Sequence, residues 1–223
     1  MEAEKIGIKL FTISLFLLLL SETGSVFLSS VFSNHNMLIL GSTRVLQLAV
    51  FLFAVSIFGQ SMSDIGLGRQ QIVPGIIIGL KWSFWFGVVA LALLTLIFFI
   101  GFDILKILHT RLPATGGNLL LFFLVGGVIA PVTEEVLFRG ILYGFFRRWG
   151  ILIALFMSTL FFVLAHQAFS LIQITGGIIF AVSYEKEGKL MVPIMIHSLG
   201  NLSLFTLSIY AENTIIPILC MYF

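Results

Sequence analysis

The chain has 223 residues, of which 59% are hydrophobic and 10% charged, and its formal net charge is +2. No water-soluble domain could bury so much apolar surface, so the composition predicts an integral membrane protein whose first partner is the lipid bilayer. The small charge argues against a nucleic-acid partner, and the single cysteine, Cys220, excludes an internal disulfide.

Apolar runs predict an all-α, polytopic transmembrane helical bundle with about seven spans. The first span begins near Leu10 and continues through the stretch 21–32, which carries no convincing signal-peptide cleavage site. The other predicted spans are, in chain order, 45–58, 72–100, 119–146, 151–165, 171–184 and 190–209. None of the linkers resembles a separate domain, so residues 1–223 are predicted to form a single integral membrane domain.

Seven crossings from a cytoplasmic N-terminus would place most basic residues on one side of the membrane, as the positive-inside rule requires. The cytoplasmic set would be Lys5, Lys9, Arg69, Arg147, Arg148, Lys186 and Lys189, and the opposite set Arg44, Lys106 and Arg111. The short loops and compact size favour a prokaryotic plasma membrane.

Two glutamates and an arginine interrupt the span 119–146, in the stretch APVTEEVLFRG. A charge at the centre of a bilayer costs about 3 kcal/mol, so such side chains usually face the bundle interior and have partners. Glu135 and Arg139 are four residues apart with the acid first, which favours an ion pair. Glu134 lies about 100° around the helix and lacks that partner. Pro131 removes a backbone donor and predicts a bend beside these charges.

By itself, this stretch fits a catalytic glutamate and a structural charge cluster about equally well. Two histidines in the later spans change that balance. His166 follows Phe162 by four residues, and Asn201 follows His197 by four, so each pair lies on one helical face. A single buried histidine is more often a packing residue, but two of them with an asparagine and an unpaired glutamate favour a catalytic set.

These side chains suit the hydrolysis of a peptide bond. Glu134 with a nearby histidine could deprotonate a water, while the second histidine and Asn201 donate hydrogen bonds to the oxyanion. The same atoms could instead bind zinc through two histidines and one carboxylate. The chain has no HExxH helix and no GxSxG serine, which disfavours the usual zinc-protease and serine mechanisms. The residues alone leave a metal-free and a zinc mechanism open.

Three ordered motifs resemble those of the CAAX protease and bacteriocin-processing (CPBP, or Abi) family of intramembrane glutamic endopeptidases. EEVLFR at 134–139 matches EExxxR, FVLAH at 162–166 matches FxxxH, and HSLGN at 197–201 matches HxxxN. The similarity covers the C-terminal half well and the N-terminal spans only loosely. It implies a catalytic core at about 119–209.

The resemblance also implies a role for each motif residue. Four residues would carry the chemistry, Glu134 and His166 by activating water, and His197 and Asn201 by stabilising the oxyanion. Three would orient the site: Glu135, Arg139 and Phe162. No metal or other cofactor is expected, and zinc at Glu134, His166 and His197 is the minority alternative.

The expected substrate is a membrane-associated protein or peptide, and lipidated substrates and C-terminal sorting signals are among the candidates. Two other functions remain open. A non-catalytic membrane adaptor or peptide-immunity protein could use the same scaffold without needing Glu134. A proton-coupled transporter could relay protons through the buried acids and histidines, although no internal repeat supports it.

The catalytic prediction carries one geometric condition. His166 is predicted at the end of a short span, whereas Glu134 and His197 lie nearer to mid-depth. The three side chains must nevertheless meet if they act on one water.

Overall fold

A computed structural model describes residues 6–58, 60–104, 108, 110, 112–113, 116–166 and 170–222, with side chains described as far as residue 210. The described residues form seven helices and no strand, which confirms the all-α helical bundle. In chain order they are α1 (Ile8–Val31), α2 (Asn36–Ile57), α3 (Arg69–Phe99), α4 (Gly117–Trp149), α5 (Ile151–Ala165), α6 (Leu171–Glu187) and α7 (Met191–Tyr222). Five of these, α1 to α4 and α7, are long and apolar enough to cross a membrane.

The short helices α5 and α6 form an antiparallel hairpin. They have 15 and 17 residues, so they rise about 22 and 25 Å, less than the ~30 Å of a hydrocarbon core. α4 and α5 meet at Gly150, whose φ of 108° is readily adopted only by glycine. Glu134 lies sixteen positions before Gly150 and His166 sixteen after it. The turn between α4 and α5 at Gly150 therefore brings His166 to the level of Glu134.

The central helix α4 is not uniformly α-helical. Two segments, Val125–Ile129 and Val136–Tyr143, have the wider π-helical turn, and the α-helical segment Ala130–Glu135 lies between them. Such wide turns are rare and occur frequently at functional sites. Pro131 follows the first wide turn, so the predicted bend corresponds to an irregular stretch of helix. All eight residues of the second wide turn are buried among the neighbouring helices.

Polar contacts join the helices at the end of the bundle where α1 and α3 begin and α4 and α6 end. They are the ion pair Arg147–Glu185 at 2.9 Å, the hydrogen bond from Trp82 Nε1 to Glu187 at 3.1 Å, and the bond from Arg148 to the carbonyl of Ile6. Basic residues 147, 148, 186 and 189 thus share one end, as the topology predicts. The side of the membrane that this end faces stays a prediction.

The predicted start of the second span is wrong by nine residues. The sequence placed it at residue 45, with Arg44 outside, whereas α2 begins at Asn36 and contains Arg44. Arg44 is tolerated within the helix because Glu22 of α1 and Gln47 of α2 accept hydrogen bonds from its guanidinium group. A partnered charge costs far less in an apolar bundle than an isolated one.

The close approach of α6 to α5 predicts a specific effect of one methyl group. An added Cβ at Gly177 would lie 2.9 Å from Thr159 Cγ2 and 3.3 Å from Phe162 Cδ1, whereas at Gly176 it would meet only the ring of Phe180 on the same helix. We expect Gly177→Ala to be less stable than Gly176→Ala by about 1–3 kcal/mol because it overpacks the interface. Thermal unfolding of both purified variants in detergent measures this difference. Equal melting temperatures would contradict the prediction.

Candidate active site

The deepest polar group of the site is the carboxylate of Glu135. Its Oε1 accepts a hydrogen bond from Arg139 Nη1 at 3.0 Å, and both side chains are fully buried. This is the ion pair that the four-residue spacing predicts. The same oxygen lies 2.8 Å from His197 Nδ1 of α7. Arg139 Nη2 donates to the carbonyl of Gly177 in α6 at 3.0 Å, so one charged pair connects three helices.

Aromatic rings surround these charges. The guanidinium carbon of Arg139 lies 4.6 Å from the ring centre of Phe162, close enough for a cation–π contact. The Phe162 ring is also 4.4 Å from His166 and 5.7 Å from His197. Phe180 stacks on His197 with the ring centres 4.6 Å apart. Phe162 therefore contacts both imidazoles and the arginine, which fits the orienting role that the resemblance implies.

Glu134 and the two histidines meet in the structure, so the geometric condition on the catalytic prediction is fulfilled. Glu134 Oε2 lies 3.5 Å from His166 Nε2 and 3.9 Å from His197 Nε2. The side chain of Glu134 is 12% exposed, whereas that of Glu135 is fully buried. The adjacent acids therefore have separate environments, one open to a cavity and one enclosed.

The partners of the histidines determine which ring nitrogen faces Glu134. His166 Nδ1 lies 2.8 Å from the carbonyl oxygen of Phe162, and His197 Nδ1 lies equally close to Glu135. Both partners are acceptors, so each Nδ1 carries a hydrogen. In the neutral rings each Nε2 is then an acceptor directed at Glu134.

Three acceptors converge at distances longer than the 2.7–3.2 Å of a usual direct hydrogen bond. A donor placed between them, such as a water molecule, would satisfy two of them at once. Among the described residues, no group of three His, Cys, Asp or Glu is arranged to hold a metal ion. A metal-free site stays the prediction, and zinc at Glu134, His166 and His197 stays its alternative.

Asn201 has a partner that the sequence did not indicate. Its Nδ2 donates to the carbonyl of Gly126 in α4 at 2.8 Å. In the wide turn the N–H of Ala130 donates to the carbonyl five residues earlier, that of Val125. The next donor in this pattern would be the N–H of residue 131, with the carbonyl of Gly126 as its acceptor. Pro131 has no N–H, and Asn201 supplies the missing donor. The second hydrogen of its amide group is available for another acceptor.

A cavity of about 200 Å³ lies beside Glu134 and His166. Its other walls include Glu22 of α1 and Arg44 and Gln47 of α2, none of which the sequence analysis had assigned to the site. A signal for them exists. Arg44 and Gln47 are three residues apart within an apolar run, so they share one helical face and require polar partners.

Comparisons with known proteins link this region of the chain to membrane-embedded CAAX proteases. Residues 116–203 match the family described as type II CAAX prenyl endopeptidase, Rce1-like. The membrane-embedded CAAX protease MroQ of Staphylococcus aureus (strain USA300) is 34% identical over 90 residues, 36% of this chain and 36% of that protein. An uncharacterized 24.3 kDa protein of Escherichia coli is 32% identical over 78 residues, 31% of this chain and 36% of that protein. No solved structure matches.

The matched region contains all seven predicted site residues. The match to residues 116–203 agrees with the resemblance of the three motifs to the CAAX protease (CPBP, or Abi) family. The alignments span only 36% of the length of each curated relative. Helices α1 and α2, which provide the wall with Glu22 and Arg44, lie outside the family match.

The link between Asn201 and Gly126 predicts a non-additive pair of substitutions. Asn201→Ala should cost about 1–3 kcal/mol of stability because it leaves a buried carbonyl without a donor. In a Pro131→Ala background the restored backbone N–H can reach that carbonyl, so the same change should cost much less. Unfolding of the four proteins in detergent measures the cycle. An equal loss in both backgrounds would show that Asn201 does not replace the missing proline donor.

Proposed function

We propose that this protein is an intramembrane endopeptidase that cleaves a peptide bond in a membrane-associated protein or peptide with water activated by Glu134. The observation that carries the proposal is the convergence of Glu134 Oε2 with the Nε2 atoms of His166 and His197 beside a cavity. The family match and the name of the relative MroQ, a membrane-embedded CAAX protease, support it.

The proposed reaction begins with a water between Glu134 and His166. Glu134 takes a proton from it, and the oxygen attacks the carbonyl carbon of the scissile bond. Glu135 accepts the hydrogen of His197 Nδ1, so His197 would donate from Nε2 to the oxyanion when the ring enters the reaction as imidazolium, and it keeps both protons throughout. The second amide hydrogen of Asn201 is the other proposed donor. Glu134 then gives its proton to the leaving nitrogen as the C–N bond breaks, which yields one carboxylic acid and one amine.

The location and substrate of the enzyme are also part of the proposal. The shared basic end of the bundle, with the N-terminus, would face the cytoplasm of a prokaryotic plasma membrane, since positive residues favour that side. The substrate would reach the site as a membrane-associated segment. Lipidated tails and C-terminal sorting signals are the substrate classes to examine first.

Replacement of Glu134 provides the direct test of this function. We expect Glu134→Gln to lower cleavage at least about 100-fold, because the amide cannot act as the general base. Protein termini in membrane fractions are compared between cells with the natural chain and cells with the variant at equal abundance. Glu187→Gln, the same chemical change at the end of the bundle, is the matched control and should leave the termini unchanged. Termini that are identical in all three strains would oppose the protease and favour an adaptor or a transporter.

A chelator distinguishes the two hydrolytic mechanisms. If Glu134 activates water without a metal, we expect purified protein to retain its cleavage rate after dialysis against 1,10-phenanthroline. The assay substrate would be one of the peptides identified by the terminus comparison. A loss of activity that zinc restores would instead establish the zinc alternative at Glu134, His166 and His197. Dialysis against a non-chelating phenanthroline isomer is the control for inhibition by the compound itself.

A further inference from the structure

Arg44 is a cation that the proposed chemistry does not use, although it lines the same cavity as Glu134. Its side chain is 16% exposed. Nη1 donates to Gln47 Oε1 at 2.7 Å and also to Glu22 Oε1. By contrast, Nε is buried and has no hydrogen-bond partner among the described residues. One corner of the guanidinium group is therefore occupied while another donor is unsatisfied.

The unsatisfied Nε lowers the stability of the protein, which is unexpected if Arg44 serves only to join two helices. A buried donor without an acceptor loses about 1–3 kcal/mol, and an ion pair in an apolar setting is often no more stable than well-packed apolar side chains. A contact that served only to join α1 to α2 would not need a free guanidinium edge beside a cavity. The Nε of Arg139 is also unsatisfied, but that side chain is fully enclosed, whereas Arg44 lines a cavity in which an acceptor could bind.

Three further contacts hold Arg44 in place relative to the proposed base. The hydroxyl of Thr133, the residue before Glu134, lies 3.0 Å from the backbone carbonyl oxygen of Arg44 and 2.9 Å from that of Ile129, so its one hydrogen is shared between them. Gln47 Nε2 donates to Ser21 Oγ at 2.7 Å and to Glu22 at 2.9 Å, which fixes the acceptors around Nη1. The guanidinium group thus has a set position in the wall of the cavity that Glu134 and His166 also line.

The remaining walls of the cavity determine what could carry the acceptor. They are mainly apolar, with Leu18, Phe51, Leu137, Phe138 and Ala165. Arginine binds carboxylates through two parallel hydrogen bonds, which is the arrangement that a free guanidinium edge offers. The occupant that fits both features is an apolar peptide segment bearing one carboxylate.

We infer that Arg44 forms a subsite for a carboxylate of the substrate, located close to the bond that Glu134 hydrolyses. The inference rests on the proposed function and adds the substrate chemistry to it. The carboxylate is either the C-terminus of the peptide or the side chain of an aspartate or glutamate. Glu22 competes for the same guanidinium group, so it limits the affinity for the substrate carboxylate.

The test measures binding rather than cleavage, in full-length Glu134→Gln protein purified in detergent. The probes are mixtures of N-acetylated apolar pentapeptides in three forms: free acid, carboxamide, and carboxamide with one internal aspartate. Apparent affinity is taken from the dependence of the melting temperature on peptide concentration. Arg44→Lys keeps the positive charge but removes Nε and the planar fork. Glu22→Gln removes the competing carboxylate, and Arg148→Gln is a control that alters an arginine at the far end of the bundle.

We expect at least one carboxylate form to bind about tenfold more tightly than the plain carboxamide, as one good charge-assisted contact would produce. Arg44→Lys should abolish that preference, Glu22→Gln should increase it, and Arg148→Gln should leave it unchanged. Preference for the free acid identifies a C-terminal carboxylate, and preference for the internal aspartate identifies a side chain. Equal affinity for all three forms, or no binding of any, would overturn the subsite.

The outcomes for the subsite and for the protease are separate. Equal binding of all probes together with lost cleavage in Glu134→Gln cells would support the protease function and contradict the subsite. A preference that depends on Arg44, with unchanged termini in those cells, would establish carboxylate binding and remove the protease. If Arg44→Lys fails to fold, Glu22→Gln still decides the matter, since an unchanged preference in that variant would contradict the inference.

Discussion

The structure of the site depends on one buried carboxylate oxygen, Glu135 Oε1, which has both Arg139 and His197 as partners. In an apolar bundle a charge of this kind is tolerable only when its partners are in place. Arg139 must in turn find the carbonyl of Gly177, and its guanidinium group lies over Phe162. Helices α4 to α7 therefore have to pack in one arrangement, and that arrangement directs Nε2 of His197 towards Glu134.

The second constraint comes from the backbone of α4. In a membrane, no water is present to satisfy a carbonyl that a proline leaves without a donor. Asn201 supplies that donor to Gly126, one helical turn after His197 contacts Glu135. α7 is thus connected to α4 by two polar contacts on the same face. The contacts that position the proposed oxyanion donors are the same contacts that hold the two helices together.

The cavity is lined by two parts of the chain, one inside the region that matches the family and one outside it. Glu134 and His166 come from the region that matches the CAAX protease family, whereas Arg44 and Glu22 come from helices outside that match. The proposed catalytic residues can therefore be shared with relatives even where the proposed substrate-binding residues are not. In the proposed enzyme, a general base and its histidines would suit any peptide bond, whereas the guanidinium group of Arg44 would select by charge. This division explains why the family match by itself does not define a substrate.

The sequence by itself determined the features that follow from local spacing and composition. Apolar run lengths identified the membrane bundle and its helices, and the four-residue spacing identified the Glu135–Arg139 pair, because both depend only on neighbours along one helix. The motifs also identified Glu134, His166 and His197 as candidates. Only the tertiary structure decided that the turn between α4 and α5 at Gly150 brings His166 level with Glu134, that Asn201 contacts Gly126, and that Arg44 lines the cavity. Those facts depend on which helices are adjacent and at what depth, and hydrophobic periodicity contains no information about the helix that faces a given polar side chain.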